Sequence, residues 1–252
     1  MWDGSVTFGD SWAGYIGRAD QNTAHSHVAI QLCIGIGQPA TLELPGKVIR
    51  AAGVIIGPNV EHRAVAESHP VAFLYVSPDT VLGRALNALL QDDGIALASD
   101  ELLECFRRST SLSHFVDALS RLLAMTPPID HRLHKALNIL RLDRDGPGCV
   151  SRAAQAVGLS SPRLRCVATH QMGVSLSQWI IWNKLERASK SLAGGSTLSD
   201  AAADGGFSDQ AHLARMMRRM IGMTPRTAAV VLRKPSVSFK THWQQNANIH
   251  RI

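Results

Sequence analysis

Long apolar runs are missing from this sequence. No stretch approaches the ~18 consecutive residues that span a bilayer, so no membrane partner is expected. The start at Met1 shows no basic segment followed by an apolar one, and no secretory leader is expected either. Cysteine is scarce and scattered: Cys33, Cys105, Cys149 and Cys166 form no CxxC pair and have no metal-type spacing. Reduced thiols in a cytoplasmic protein are the plain reading. What remains is an ordinary composition, 45% hydrophobic and 18% charged over 252 residues, enough for one large domain or two modest ones.

The net charge of +6 is unevenly spread. Residues 1–128 hold eight basic and thirteen acidic side chains, a balance of −5; residues 129–252 hold eighteen and seven, a balance of +11. A mildly acidic half joined to a strongly basic one suggests that only the second meets a polyanion. A solvated basic face has the same charge, so motifs must decide.

Residues 1–78 read as β structure. Runs such as Val28–Ile36, Thr41–Leu44, Val54–Ile56 and Val71–Val76 are separated by Gly, Pro and Asn signals, as in a sandwich or barrel. Over residues 79–128 the pattern switches to amphipathic helices: Leu82, Leu86 and Leu89, then Leu112, Phe115, Leu119 and Leu122. The second set is a candidate homodimer seam, or packs against the β domain. Thr126, Pro127 and Pro128 mark the best boundary. Residues 129–235 are helical throughout, and residues 236–252 are a polar tail without pattern. The expected fold class is α+β in two domains, an N-terminal β-barrel with linking helices and an all-α C-terminal domain.

The basic half repeats itself. VSRAAQAVGLS at 150–160 aligns with LSDAAADGGFS at 198–208, an offset of 48; after one inserted residue Leu164 aligns with Leu213, and Gly173 with Gly222. Each copy reads as a helix, a glycine turn and a second helix, giving helix-turn-helix units at about 150–173 and 198–222. Ser151 and Ser199 are candidate caps of the first helices. Gly158 and Gly206 suit the left-handed turn, and Ser161-Pro162 and Thr224-Pro225 each read as an N-cap followed by proline at the first helical position. Between the units, Ser175–Ala193 reads as one stiff helix that would set both units into successive major grooves, roughly 34 Å apart.

Helical spacing selects the outward faces. In the second unit Leu213, Met216, Met217 and Met220 form the apolar stripe, opposite Ala211, Arg215 and Arg218, with Gln210, Ala214 and Arg219 flanking. In the first, Leu164, Val167 and Ala168 lie opposite Pro162, Cys166 and Thr169, with Arg163 and Arg165 flanking. Arginine forks onto a guanine edge or pairs with phosphate, so these eleven outward and flanking residues are the candidate contacts to double-stranded DNA.

At this point the sequence resembles the AraC/XylS family of transcription regulators. GFSDQAHLAR at 206–215, followed by GMTP at 222–225, is similar to that family's signature. The resemblance covers about 105 residues and implies base contacts near Arg165, Cys166, Ala211, Ala214 and Arg215. Two positions depart from it: Ala228 replaces an aromatic after Thr-Pro, and Cys166 stands where many relatives carry arginine. The first half resembles the cupin-like sensor domain placed before such DNA-binding parts. His25, His27 and Gln31 echo the first cupin metal motif, with glutamine for the usual glutamate, and Gly53–His62 is a looser echo of the second. On an extended strand His25, His27, Gln31 and Cys33 share one face and could converge with His62. Such imidazoles hold a divalent transition metal through His25, His27 and His62, line an organic-effector pocket, or are simply hydrogen-bonded.

The leading functional reading is a transcription regulator responding to a small molecule or metal, acting as a homodimer and meeting RNA polymerase at a promoter. A cupin enzyme holding a catalytic metal with a DNA-binding appendage is the alternative, but no general base or nucleophile accompanies the histidines. An architectural DNA binder would favour scattered basic residues over two ordered helices.

Overall fold

The structure is a computed structural model that describes residues 2–20, 22–66, 68–124, 128–142 and 148–234. Thr126, Pro127 and the tail at 236–252 lie outside the described residues. The first half contributes β1 (Asp3–Phe8), β2 (Trp12–Arg18), β3 (Ile30–Gly35), β4 (Ala40–Leu44), β5 (Lys47–Ala51), β6 (Gly53–Ile56), β7 (Arg63–Ala64) and β8 (Val71–Val76). After them come α1 (Val81–Asn87), β9 (Ile95–Leu97), α2 (Asp100–Arg107) and α3 (Leu112–Leu122).

The strands form two antiparallel sheets, one ordered β1-β2-β8-β3-β6-β9 and a smaller one ordered β5-β4-β7. An isolated bridge pairs His25 with His62, so the cupin-like arrangement is two sheets rather than one hydrogen-bonded barrel. β3 is buried on both faces, which explains its near-continuous apolar sequence. Ile30, Leu32 and Ile34 pack with Leu102, Phe106, Leu112, Phe115 and Leu119 of the helices; Cys33 packs on the other side with Leu42, Ile56 and Phe73.

Of the two readings of the Leu112, Phe115, Leu119 and Leu122 set, packing against the β domain is the one found. Leu112, Phe115 and Leu119 are buried in the chain's own core, leaving only Leu122 of that set exposed, at 47%. Three buried large side chains contribute about 1.5–3 kcal/mol each to the fold and present nothing to a partner. β9 is a correction, because a three-residue edge strand paired with β6 interrupts the segment read as helical.

The C-terminal half is all helical: α4 (His131–Leu142), α5 (Cys149–Ala156), α6 (Ser161–Met172), α7 (Leu176–Ala193), α8 (Leu198–Gly205), α9 (Gln210–Ile221) and α10 (Pro225–Leu232). Its core centres on Trp179, which is fully buried with Leu164, Ala168, Leu213 and Met217, and it includes one residue from the first half, Val28. Gly158 and Gly206 take φ of +68° and +76°, as a turn between two helices requires. The caps shift by a residue or two. Ser160, not Ser161, accepts the Arg163 N–H ahead of Pro162; Thr197, not Ser199, caps α8. Ser151 lies inside α5, which starts after Gly148 with no side-chain cap. Thr224 caps α10 ahead of Pro225, as read.

Candidate functional site

Two surfaces carry chemistry. The first is formed by α6 and α9. Each begins with an oxygen-bearing cap, Ser160 and Asp209, and ends in a left-handed glycine, Gly173 and Gly222. Their apolar stripes are sunk into the core: Leu164 and Ala168 from α6, and Leu213, Met217 and Met220 from α9. The opposite faces are left open. Pro162, Arg163, Arg165, Cys166 and Thr169 are exposed on α6; Gln210, Ala211, Arg215, Arg218 and Arg219 are exposed on α9, with Ala214 half-buried. Arg165 Nη1 donates to Ser177 Oγ at 3.1 Å, tying α6 to the start of α7. Lys184 Nζ and Arg187 Nη2 of α7 donate to the carbonyls of Gly206 and Gly205, at 2.9 and 3.2 Å. Cations at the end of α8 suit its partial negative charge, and they fix the second turn against α7.

The second surface is the histidine cluster. His25, His27 and His62 are all buried, with ligand-capable atoms within 4.8 Å of one another. Each Nδ1 faces a backbone carbonyl: Thr23 O at 3.0 Å, Ala29 O at 2.9 Å and Val60 O at 2.9 Å respectively. Carbonyls only accept, so each Nδ1 carries the proton and each Nε2 keeps its lone pair. Burial, reinforced by neighbouring histidines at His25 and His27, disfavours the charged rings: His25 is lowered to about 4, His27 well below its ordinary value, and His62 is lowered by burial. The Gln31 amide oxygen lies 2.8 Å from both His27 Nε2 and His62 Nε2. Among the described residues, His25 Nε2 is the buried side-chain polar atom without a partner.

Three imidazole lone pairs and an amide oxygen converging in this way repel unless an electron-pair acceptor sits among them. A Gln31 amide turned over to present its N–H groups satisfies two of the rings but not His25. A divalent transition metal held by His25, His27 and His62, with the Gln31 oxygen beside them, would satisfy all four donors. The backbone carbonyls on Nδ1 are the supports that orient ligating histidines. The donor set therefore fits such a metal.

The cluster also touches the helical half. Thr23 N donates to Gly222 O at 3.1 Å, and Ser26 N to Arg219 O at 3.4 Å. Rings of Tyr75 and Trp182 stand 5.3 and 5.8 Å from His27. Asp79 accepts from Trp179 Nε1 at 2.9 Å and pairs with Arg141 at 2.7 Å.

Residues 153–229 match the helix-turn-helix domain family. The C-terminal half carries a helix-turn-helix domain. The fold as a whole is similar to that of ToxT from Vibrio cholerae O395, at TM-score 0.59 and 9% identity over 90% of this chain and 100% of that one. A second match is unsaturated fatty acid bound wild-type ToxT from V. cholerae strain SCE256, at 0.58 and 11% over 94% and 99%. An AraC-type DNA-binding domain-containing regulator from Chromobacterium violaceum matches at 0.39 and 20% over 42% and 96%. No curated protein matches the sequence. The expected two-domain fold, a β half followed by an all-α half with a helix-turn-helix domain, is the one found.

Beside the helix-turn-helix domain, the structure brings together all four residues read as the effector set, His25, His27, Gln31 and His62. It does not include Cys33, which packs in the intersheet core with its thiol pushed up to about 12 by burial. The reason is local: the histidine segment is no continuous strand, because β3 begins only at Ile30. Sequence reasoning missed Tyr75, Trp182 and Gly222, which wall the cluster. Only the aromatic identity of the first two was a signal, and nothing placed them near His27. Among the described residues no helix is long and apolar enough to cross a membrane.

Proposed function

We propose that this chain is a sequence-specific transcription regulator that reads promoter DNA through α6 and α9 and is governed by its first domain. One observation carries the reading: two repeated recognition helices stand exposed on a basic half, and the end of one is hydrogen-bonded to the segment that bears the sensor histidines. An event at the histidines is thus one peptide away from the carbonyls that close α9. A cytoplasmic location follows from the DNA partner. Selection of randomised duplexes by the full chain tests the reading: a defined site, bound with an affinity that falls steeply with salt, is the expected result. Enrichment of no sequence sinks it.

A metal effector is the finer reading, favoured by the convergent donors described above. Titrating Zn²⁺ or Ni²⁺ into chelator-treated full chain should give one tight site per chain, and His25→Ala or His62→Ala should weaken it at least tenfold, in line with about 10–100-fold for the weaker case of losing only a ligand's support. Stoichiometric binding that survives both substitutions would place the metal elsewhere.

A further inference from the structure

We propose that the cavity between the β domain and helices α7, α9 and α10 is a small-molecule site for an uncharged, apolar, ring-containing compound. The assignment rests on the regulatory reading above and names a class of ligand for it. The cavity measures about 120 Å³ and is bounded by side chains of both halves. On the β side Trp2 and Tyr15 meet edge to face at 5.2 Å, and Tyr15 stacks on Phe73 at 5.9 Å. Trp182, Leu185 and Met217 close the opposite side. Of the chain's five Trp, two Tyr and six Phe, the lining takes three, two and two among the described residues. Rings concentrated so far above their share favour a planar apolar guest, through stacked and edge-to-face contacts.

Charge decides the rest of the class. Among the described residues the lining contains no Lys, Arg or His, and its one carboxylate, Glu186, is already paired with Lys190 at 2.7 Å. Arg141 reaches the lining hydroxyl of Ser11 at 3.2 Å but is committed to Asp79 at 2.7 Å. A carboxylate held here is buried near Glu186 with no counter-ion of its own, which is strongly unfavourable. A phenol, alcohol or amide finds ordinary partners in Ser11, Asn22 and Ser189. Because such a guest touches both halves, it binds the docked arrangement and not the separated one, and its occupancy shifts the balance between them.

The test uses the full chain with N-phenyl-1-naphthylamine, an uncharged fluorescent probe, displaced by 2-naphthol or by 2-naphthoate. Naphthol should displace it at a concentration at least about tenfold below naphthoate, and Glu186→Lys should narrow or reverse that ratio. Val6→Trp, which fills the cavity from β1, should weaken the probe by about tenfold or more. Naphthoate binding as well as naphthol overturns the ligand class; a probe indifferent to Val6→Trp overturns the cavity as its site. A chain that binds the probe as stated yet selects no DNA sequence overturns the regulatory reading and leaves the cavity assignment standing.

Discussion

Arg215 and Cys166 occupy matching centres of the two outward faces, and both are exposed. Their chemistry is unequal. A guanidinium forks onto guanine and discriminates by about 1–3 kcal/mol against the wrong base, whereas a thiol is a weak partner that cannot fork. Arg165 is partly engaged with Ser177, which draws it towards α7 and a phosphate-contacting role. Arg215→Ala should therefore relax preference at one or two base pairs, while Arg218→Ala should weaken all sequences alike and lower the salt slope by about one. Cys166→Ser should leave the selected site intact. Duplex selection with each variant checks all three, and a site reshaped by Cys166→Ser alone would reverse the assignment of the reading unit.

The helix-turn-helix elements were legible because their signals are local. A repeat of offset 48, a glycine turn and an apolar stripe all fall within one window of sequence. Caps were less legible: Thr197 lies one residue before Leu198, and its hydroxyl reaches the Asp200 N–H that Ser199 cannot. β9 left no trace, since three residues cannot display a period of two. The histidine set was found, but its neighbours were not, because Tyr75, Trp182 and Gly222 come from three distant segments. Gly222 and Gly173 offer a matched test of that contact. They end α9 and α6 with φ of +70° and +71°, so alanine incurs the same backbone strain at each, about 1–2 kcal/mol. At Gly173 a Cβ meets nothing within 4 Å, whereas at Gly222 it lies 2.5 Å from Thr23 O and 2.8 Å from His25 Nδ1. Gly222→Ala should then cost about 1 kcal/mol or more beyond Gly173→Ala, in thermal unfolding of the full chain. Equal losses would mean that the contact between α9 and the histidine segment is slack.

At the scale of the molecule, the two halves do not behave as beads on a string. Val28 is fully buried in the helical core, so the helical half cut at the Pro128 boundary leaves a hole where that side chain sat. The polar counterpart of that plug is Asp79, whose side chain is 5% exposed and holds Arg141, Trp179 and Ser77 at once. Asp79→Ala removes the sole carboxylate from this group. The Trp179 indole N–H, fully buried, loses its acceptor at a cost of about 1–3 kcal/mol. Arg141 is 29% exposed, so water recovers part of its charge, and the loss stays below the roughly 3–5 kcal/mol of a fully buried pair. Asp79→Asn keeps an oxygen for Trp179 and Ser77 and loses only the Arg141 pair, so it should cost less. If Asp79 couples the halves, the alanine variant should split one cooperative melt into two, with the asparagine variant in between. A single transition that merely shifts to lower temperature in Asp79→Ala would show that the backbone contacts at Gly222 and the Val28 plug suffice to hold the halves as one unit.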